Sequence, residues 1–130
     1  DGAMWVAAIP RDRRATATLV RKLQQCRAET GFNTLRSVLM ALGRIGDPAA
    51  AAELADFLRK PGIRGHRDTG TQPTSVESAQ FSRAMVELFA AAALFRCGDS
   101  DGLARQILTE YLEDWRGVFV RYAGHTLDRK

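Results

Sequence analysis

The chain has 130 residues, of which 45% are hydrophobic and 26% are charged, so it fits a single domain with a core of its own. No apolar run approaches the roughly 18 residues that a membrane span requires, and we expect no membrane-embedded part. Residues 1–4 contain no basic stretch leading into an apolar core, which argues against a secretory signal. Because they do not begin with methionine, we expect a piece of a longer protein, and its location in the cell stays open.

The net charge of +4 is unevenly distributed along the chain. Residues 1–65 contain 11 Lys and Arg against 6 Asp and Glu, whereas residues 66–130 contain 8 against 9. A basic half can attract nucleic acid or an acidic partner, although solvated arginine-rich helix faces give the same count. The two cysteines, Cys26 and Cys97, belong to no pairing motif, so we expect thiols buried on helices and leave a disulfide open.

The first predicted helix covers about residues 11–27, where apolar side chains recur every three or four positions. Its inward residues are Leu19, Val20, Leu23 and Cys26. Gly31 is predicted to cap the C-terminus of this helix.

A helical hairpin is predicted over about residues 32–59. Its first helix has a wide apolar face and is followed by Gly46, where the chain turns. Asp47 is placed to cap the next helix, and Pro48 suits the first helical position, which needs no backbone donor. The short second helix directs three residues inward: Leu54, Phe57 and Leu58.

Residues 60–76 are dense in glycine, proline and polar side chains and predict a long loop, a feature that is often functional or disordered. Thr74 and Glu77 have capping-box spacing and announce a helix. A second hairpin is predicted over about residues 77–115, and a last helix over 118–127. The apolar residues expected inward in these helices are Phe81, Met85, Leu88, Phe89, Ala92, Phe95, Leu103, Ile107, Leu108, Tyr111, Leu112, Trp115, Val118, Phe119, Tyr122 and Leu127.

The two hairpins repeat each other in sequence. Both carry Leu-x-Arg-x-Gly-Asp across the turn, at residues 42–47 and 94–99, and Leu-x-x-aromatic-Leu in the second helix, at 54–58 and 108–112. The second copy has two extra residues at about 101–102. Internal repetition of helix–turn–helix units is typical of solenoids. We therefore predict an all-α fold, an α–α superhelix of about five or six helices in antiparallel pairs.

The stretch Ala-Leu-Gly-Arg-Ile-Gly-Asp-Pro-Ala-Ala at residues 41–50, with Leu54 and Leu58, resembles the short HEAT-like repeat, including its phycobilin-lyase type. The resemblance covers residues 35–59 closely and 85–113 weakly. It implies the solenoid architecture but no single function, since such repeats occur in scaffolds and in accessory domains of enzymes. Because of the intervening loop, the two copies lie farther apart in the sequence than tandem short repeats do.

Two further stretches, residues 58–66 and 111–123, are similar to helical tails of large bacterial FAD-dependent oxidoreductase-like proteins. The Gly-x-Gly-x-x-Gly fingerprint of dinucleotide binding is absent from the chain. This resemblance therefore implies a non-catalytic C-terminal module.

The chain offers few candidates for catalysis. His66 lies in the loop two residues before Asp68, but a lone His-x-Asp without further ligands predicts neither a metal site nor a general base. His125 is expected to interact with the C-terminal carbonyls of the last helix. No Ser/His/Asp or Cys/His set shows catalytic spacing, so we expect no enzyme activity, no cofactor and no metal from this chain.

The sequence thus predicts a scaffold that docks a protein partner or another domain of the same polypeptide. The residues expected to contact that partner lie in the basic first helix and in the loop: Arg13, Arg14, Arg21, Lys22, Arg64, His66 and Arg67.

The alternative is a nucleic-acid-binding protein that uses the basic N-terminal face. It would resemble the bacterial alkylpurine DNA glycosylases, in which a HEAT-like scaffold presents acidic and aromatic residues in a basic groove. Asp114, Trp115 and Arg105 could form such a set, although the helical register places Trp115 in the core. No aromatic residues interleave the basic ones of the first helix to stack on bases, which makes nucleic acid the second choice.

Overall fold

The computed structural model describes residues 14–68, 78–99 and 101–128. These residues contain no strand, which confirms the prediction of an all-α fold. Their helices are α1 Arg14–Gln24, α2 Phe32–Ile45, α3 Ala51–Leu58, α4 Ser78–Gly98, α5 Leu103–Tyr111 and α6 Gly117–Asp128. A short 3-10 helix, Pro48–Ala50, precedes α3. None of the helices in these ranges has the length and apolarity that crossing a bilayer requires.

Helix α4 is central to the packing, since α2, α3, α5 and α6 all contact it. Its four alanines at positions 90–93 are at most 1% exposed, because small side chains allow the neighbouring helices to approach closely. Helix α2 approaches it closely, since a Cβ added to Gly43 would lie 3.3 Å from the Cα of Ala93.

The two hairpins turn by the same local device. Gly46 and Gly98 each end a helix with positive φ, at 67° and 107°, a region that favours glycine. Asp47 accepts a hydrogen bond from the backbone N of Ala49 at 3.0 Å. Asp99 accepts from the backbone N of Ala104 and of Arg105, each at 2.9 Å, so it caps α5. The predicted capping role of Asp47 is confirmed.

The end of α1 differs from the prediction. The helix ends at Gln24, and Gly31 is the N-cap of α2 with φ −55°, so its predicted role as a C-cap is wrong. A distant residue explains the early end: Lys60 Nζ donates to the carbonyl oxygens of Gln24 at 3.0 Å and Cys26 at 2.6 Å. A cation that neutralises the free carbonyls at a helix C-terminus stabilises that end.

Four side chains predicted to point inward are exposed. They are Phe81 (37%), Leu112 (40%), Trp115 (38%) and Val118 (43%). Helix α5 ends at Tyr111, so Leu112 and Trp115 lie beyond its apolar stripe, and extending the helical register to them was wrong. The predicted loop 60–76 consists of turns and irregular backbone as far as residue 68, and its remainder with the capping box lies outside the described residues.

Candidate functional site

Residues 63–68, which we call the strap, are attached to α4, to α5 and to the segment that joins α5 to α6. Arg64 Nη2 lies 3.4 Å from Glu110 Oε1 on α5. Arg67 Nη1 lies 3.6 Å from Glu113 Oε1, just after α5. These pairs are partly or largely exposed, so each contributes little by itself.

Glu87, on α4, is the buried carboxylate beneath the strap and is 1% exposed. It accepts hydrogen bonds from the Tyr111 hydroxyl at 2.7 Å and from the backbone N of His66 at 3.0 Å and Gly65 at 3.3 Å. Arg64 Nε lies 3.8 Å from Glu87 Oε2. A buried charge is tolerated when it is paired and hydrogen-bonded, and Glu87 meets both conditions.

Asp114 forms the second buried centre, with its side chain fully covered. It accepts hydrogen bonds at 2.8 Å from the backbone N, the Nε and the Nη2 of Arg116 and from the backbone N of Asp68. Arg116 Nη2 also donates to the carbonyl oxygen of His66 at 2.9 Å, and its guanidinium lies 4.5 Å from the ring centre of Phe119. One ion pair thus joins the end of the strap to the start of α6.

The electrostatics of these groups follow from burial and partners. Burial would raise the pKa of Asp114, but the hydrogen bonds from Arg116 and from the backbone of Asp68 outweigh it and hold that pKa below its ordinary value. The bond to Asp114 raises the pKa of Arg116. Burial, together with the charge of Glu87, raises the pKa of Tyr111, which keeps its proton on the hydroxyl. These groups are engaged with one another, and this cluster fixes the strap in place.

Metal binding has no candidate site in the parts of the chain that the structure describes. No three His, Cys, Asp or Glu side chains there are grouped so that they could hold a metal ion. Glu87 and Asp114 already use their oxygens for the strap and for Arg116.

The residues predicted to contact a partner fall on two elements. Arg14, Arg21 and Lys22 belong to α1, a helix without an acidic residue, and all three are exposed. Arg13 lies outside the described residues. Arg64, His66 and Arg67 belong to the strap. Arg64 faces Glu87 of α4 and Glu110 of α5, and Arg67 faces Glu113 just after α5. The His66 ring Nε2 lies 2.8 Å from the Gly62 carbonyl oxygen. That either set binds a partner stays a prediction.

The side chains weighed for a glycosylase-like set have different partners. Asp114 pairs with Arg116, and the Arg105 guanidinium lies 5.5 Å from the ring centre of Phe95. Trp115 Nε1 donates to Asp68 Oδ2 at 3.0 Å, with the indole partly exposed at the surface.

An open apolar cavity of about 270 Å³ lies between the α1–α2 connection, the turn before the strap and α4. Phe32, Leu35, Ile63 and Val86 line its apolar wall, and Arg83 stands at its edge.

Sequence reasoning missed Glu87 and Arg116 as the residues that organise the strap. A signal was present for Glu87, since it is the only charge in the otherwise apolar stretch 84–95. An acid there must be paired if the helix is buried on all sides. No comparable signal marks Arg116.

Comparisons with known protein families, with curated protein sequences and with solved structures find no match for this chain.

Proposed function

We propose that the chain is a helical-repeat docking module, a HEAT-like α–α superhelix that presents a surface to a protein partner or to another domain of the same polypeptide. The observation that carries this proposal is the similarity of the two turns. In both, a glycine of positive φ ends one helix, and the aspartate after it accepts hydrogen bonds from backbone N–H groups ahead of it. The donor is Ala49 in the first turn, and the donors are Ala104 and Arg105 in the second. Units that repeat their turn chemistry stack regularly, and stacked helix pairs leave extended surfaces for binding.

The buried cluster supports a docking role better than a catalytic one. The carboxylates of Glu87 and Asp114 accept internal hydrogen bonds from the strap. Because these bonds hold the strap in place, the surface around it is rigid. A rigid surface loses less conformational entropy when a partner binds.

The test is site-specific photo-crosslinking of the full-length gene product in the cells that produce it. A photo-reactive amino acid replaces Arg21 on α1, Arg67 on the strap or Ser37 on α2, all of which are exposed. We expect a discrete protein adduct, or an internal crosslink to another domain, from at least one of them. Asp56 on the acidic α3 is the matched control position and should give none. Absence of any protein adduct from all three positions would contradict the docking proposal.

The second candidate, nucleic-acid binding, is favoured by one observation: α1 has basic residues and no acidic one. It predicts that duplex DNA binds with an affinity that falls steeply with salt and is lost when Arg21 and Lys22 are replaced by glutamate. If duplex DNA binds only weakly at low salt and these replacements leave that binding unchanged, the nucleic-acid candidate is refuted.

A further inference from the structure

The charged residues of the chain are segregated between helices. Helices α2, α4 and α6 carry one exposed acid, Asp128 at the end of α6, and one buried acid, Glu87, which the strap neutralises. Their exposed basic residues are His125 and five arginines: Arg36, Arg44, Arg83, Arg96 and Arg121. By contrast, α3, α5 and the connections beside them hold Glu53, Asp56, Asp99, Asp101, Glu110 and Glu113.

Most arginines on the two sides also differ in their partners. The exception is Arg105 on α5, whose guanidinium lies 5.5 Å from the ring centre of Phe95 and forms no ion pair among the described residues. Arg59 lies 3.4 Å from Asp56, and Arg64 and Arg67 are paired with acids of α5 and its C-terminal connection. Among the described residues, the guanidinium groups of Arg36, Arg44, Arg83 and Arg121 form no ion pair and no hydrogen bond. Arg96 likewise forms no ion pair there.

Helices α2, α4 and α6 are neighbours in the fold, since α4 packs against both of the others. The ring of Phe89 on α4 lies 6.5 Å from Phe32 on α2 and 5.6 Å from Tyr122 on α6, measured between ring centres. Arg96 of α4 lies against α2, since its Nη1 is 3.6 Å from the position of a Cβ on Gly43. We call the exposed surface of these three helices the arginine face.

We infer that the arginine face is the docking surface of this module and that its partner is an acidic protein segment carrying apolar side chains. The inference rests on the proposed function and names the chemistry of the partner. Several unneutralised arginines on neighbouring helices produce a positive potential that attracts carboxylates and orients them in pairs of hydrogen bonds. Half-buried Met40, Met85 and Tyr122 lie on the same helices and offer apolar contact between the charges.

The composition of the arginine face favours protein over nucleic acid. Arginine, methionine and aromatic residues are enriched at protein–protein interfaces and lysine is depleted, and these three helices contain no lysine. Binding of single-stranded nucleic acid uses aromatic side chains that present a free ring to a base. The Tyr122 ring is already packed edge-on against Phe89.

The test uses fluorescence anisotropy with three probes: a labelled glutamate-rich peptide with interspersed leucines, its glutamine-for-glutamate counterpart, and a short labelled DNA duplex. The variant carries Arg36→Glu, Arg44→Glu and Arg121→Glu, none of which removes an ion pair or a side-chain hydrogen bond among the described residues. The matched control carries Arg21→Glu, Lys22→Glu and Arg27→Glu on α1 and the segment after it, with the same change in net charge. A third protein carries Arg36→Gln, Arg44→Gln and Arg121→Gln, and circular dichroism verifies that all are folded.

We expect the acidic peptide to bind, and to bind more weakly as salt rises from about 50 to about 200 mM. Reversal on the arginine face should weaken that binding by about tenfold or more, the glutamine variant by less, and the α1 control by no more than about twofold. The neutral peptide should bind more weakly than the acidic one.

Three results would overturn the inference: equal losses in the arginine-face variant and the α1 control, tighter binding of the duplex than of the peptide through the same arginines, or no binding of the acidic peptide at low salt. Crosslinks from Arg21 or Arg67, but not from Ser37 on α2, would also overturn it while leaving the docking function standing. Failure of the docking function itself is distinct, since it requires that no position yields a protein adduct.

Discussion

Removal of the Asp114 carboxylate should destabilise the fold more than any other single change in the polar cluster. Its fully buried side chain accepts four hydrogen bonds at 2.8 Å, three from Arg116 and one from the backbone of Asp68. In Asp114→Ala the guanidinium of Arg116 stays 8% exposed without its counter-charge, and two backbone donors lose their acceptor. Breaking a buried ion pair from one side costs about 3–5 kcal/mol. Because single domains unfold with about 5–15 kcal/mol in total, this loss would leave the variant marginally stable.

The measurement is urea unfolding followed by circular dichroism. With a denaturant slope of about 1–3 kcal/mol/M, the midpoint of Asp114→Ala should fall by about 2 M. Asp114→Asn keeps the shape of the side chain and part of its capacity to accept hydrogen bonds, so its urea midpoint should lie between those of Asp114→Ala and the native chain. Glu113→Ala is the control: it removes the neighbouring carboxylate, which is 76% exposed and 3.6 Å from Arg67, and should cost no more than about 1 kcal/mol. If Asp114→Ala and Glu113→Ala unfold at the same urea concentration, the account of the cluster is wrong.

Three further predictions concern pH, turn glycines and thiols. The folded pKa of Asp114 is lowered, so the stability that its carboxylate contributes is fully present above the ordinary pKa of 3.8 and is lost as pH falls through the folded pKa. The difference in free energy of unfolding between the native chain and Asp114→Asn should therefore be constant near neutral pH and shrink below pH 3.8. Gly46→Ala should lower the free energy of unfolding by about 1 kcal/mol because φ is +67°. Gly124→Ala lies inside α6 with only ordinary contact to Leu112 at 3.8 Å and should raise the free energy of unfolding by up to about 1 kcal/mol. Melting temperatures that shift in the same direction for both variants would contradict this. Burial, with the charge of Asp47, raises the pKa of the Cys97 thiol to about 11, so labelling by iodoacetamide at neutral pH should require unfolding, and rapid labelling of the native protein would refute its burial.

The helices could be predicted because their signals are local. The apolar spacing of residues 33–44 places Leu35, Val38, Leu39 and Leu42 on one side of a helix, and all four are buried. Gly46 followed by Asp47 predicts a helix end and a new cap within two residues, and the backbone angles agree. Signals of this kind depend on side chains within one turn of each other.

The strap could not be predicted because its contacts join residues far apart in the chain. Glu87 accepts a hydrogen bond from His66, which is 21 residues away in the sequence. Arg116 donates one to the carbonyl oxygen of His66, which is 50 residues away. No local spacing relates these positions, so residues 60–68 were predicted only as loop. The same reason explains Trp115, whose spacing from Tyr111 fits a helix that in fact ends before it, while its indole is held by Asp68, 47 residues away.

The end of α1 follows the same logic. Its sequence continues to favour helix beyond Gln24, but the ammonium of Lys60 satisfies the carbonyls of Gln24 and Cys26 from 36 and 34 residues away. A helix end set by a distant cation cannot be located from the residues around it, and Gly31 was therefore given the wrong role.

The distribution of pairs among the arginines separates residues that build the fold from residues available to a partner. Arg64 is held by Glu87 and Glu110, which join the strap to α4 and α5. Arg116 is held by Asp114 within the α5–α6 connection, and this pair binds the strap through the backbone N of Asp68 and the carbonyl oxygen of His66. Charges that stabilise a fold in this way are neutralised within it. Arginines such as Arg36 and Arg121 have no such partner among the described residues, so their charge is left for an external anion. The pattern of internal pairing therefore explains why we expect the acidic partner on α2, α4 and α6 rather than at the strap.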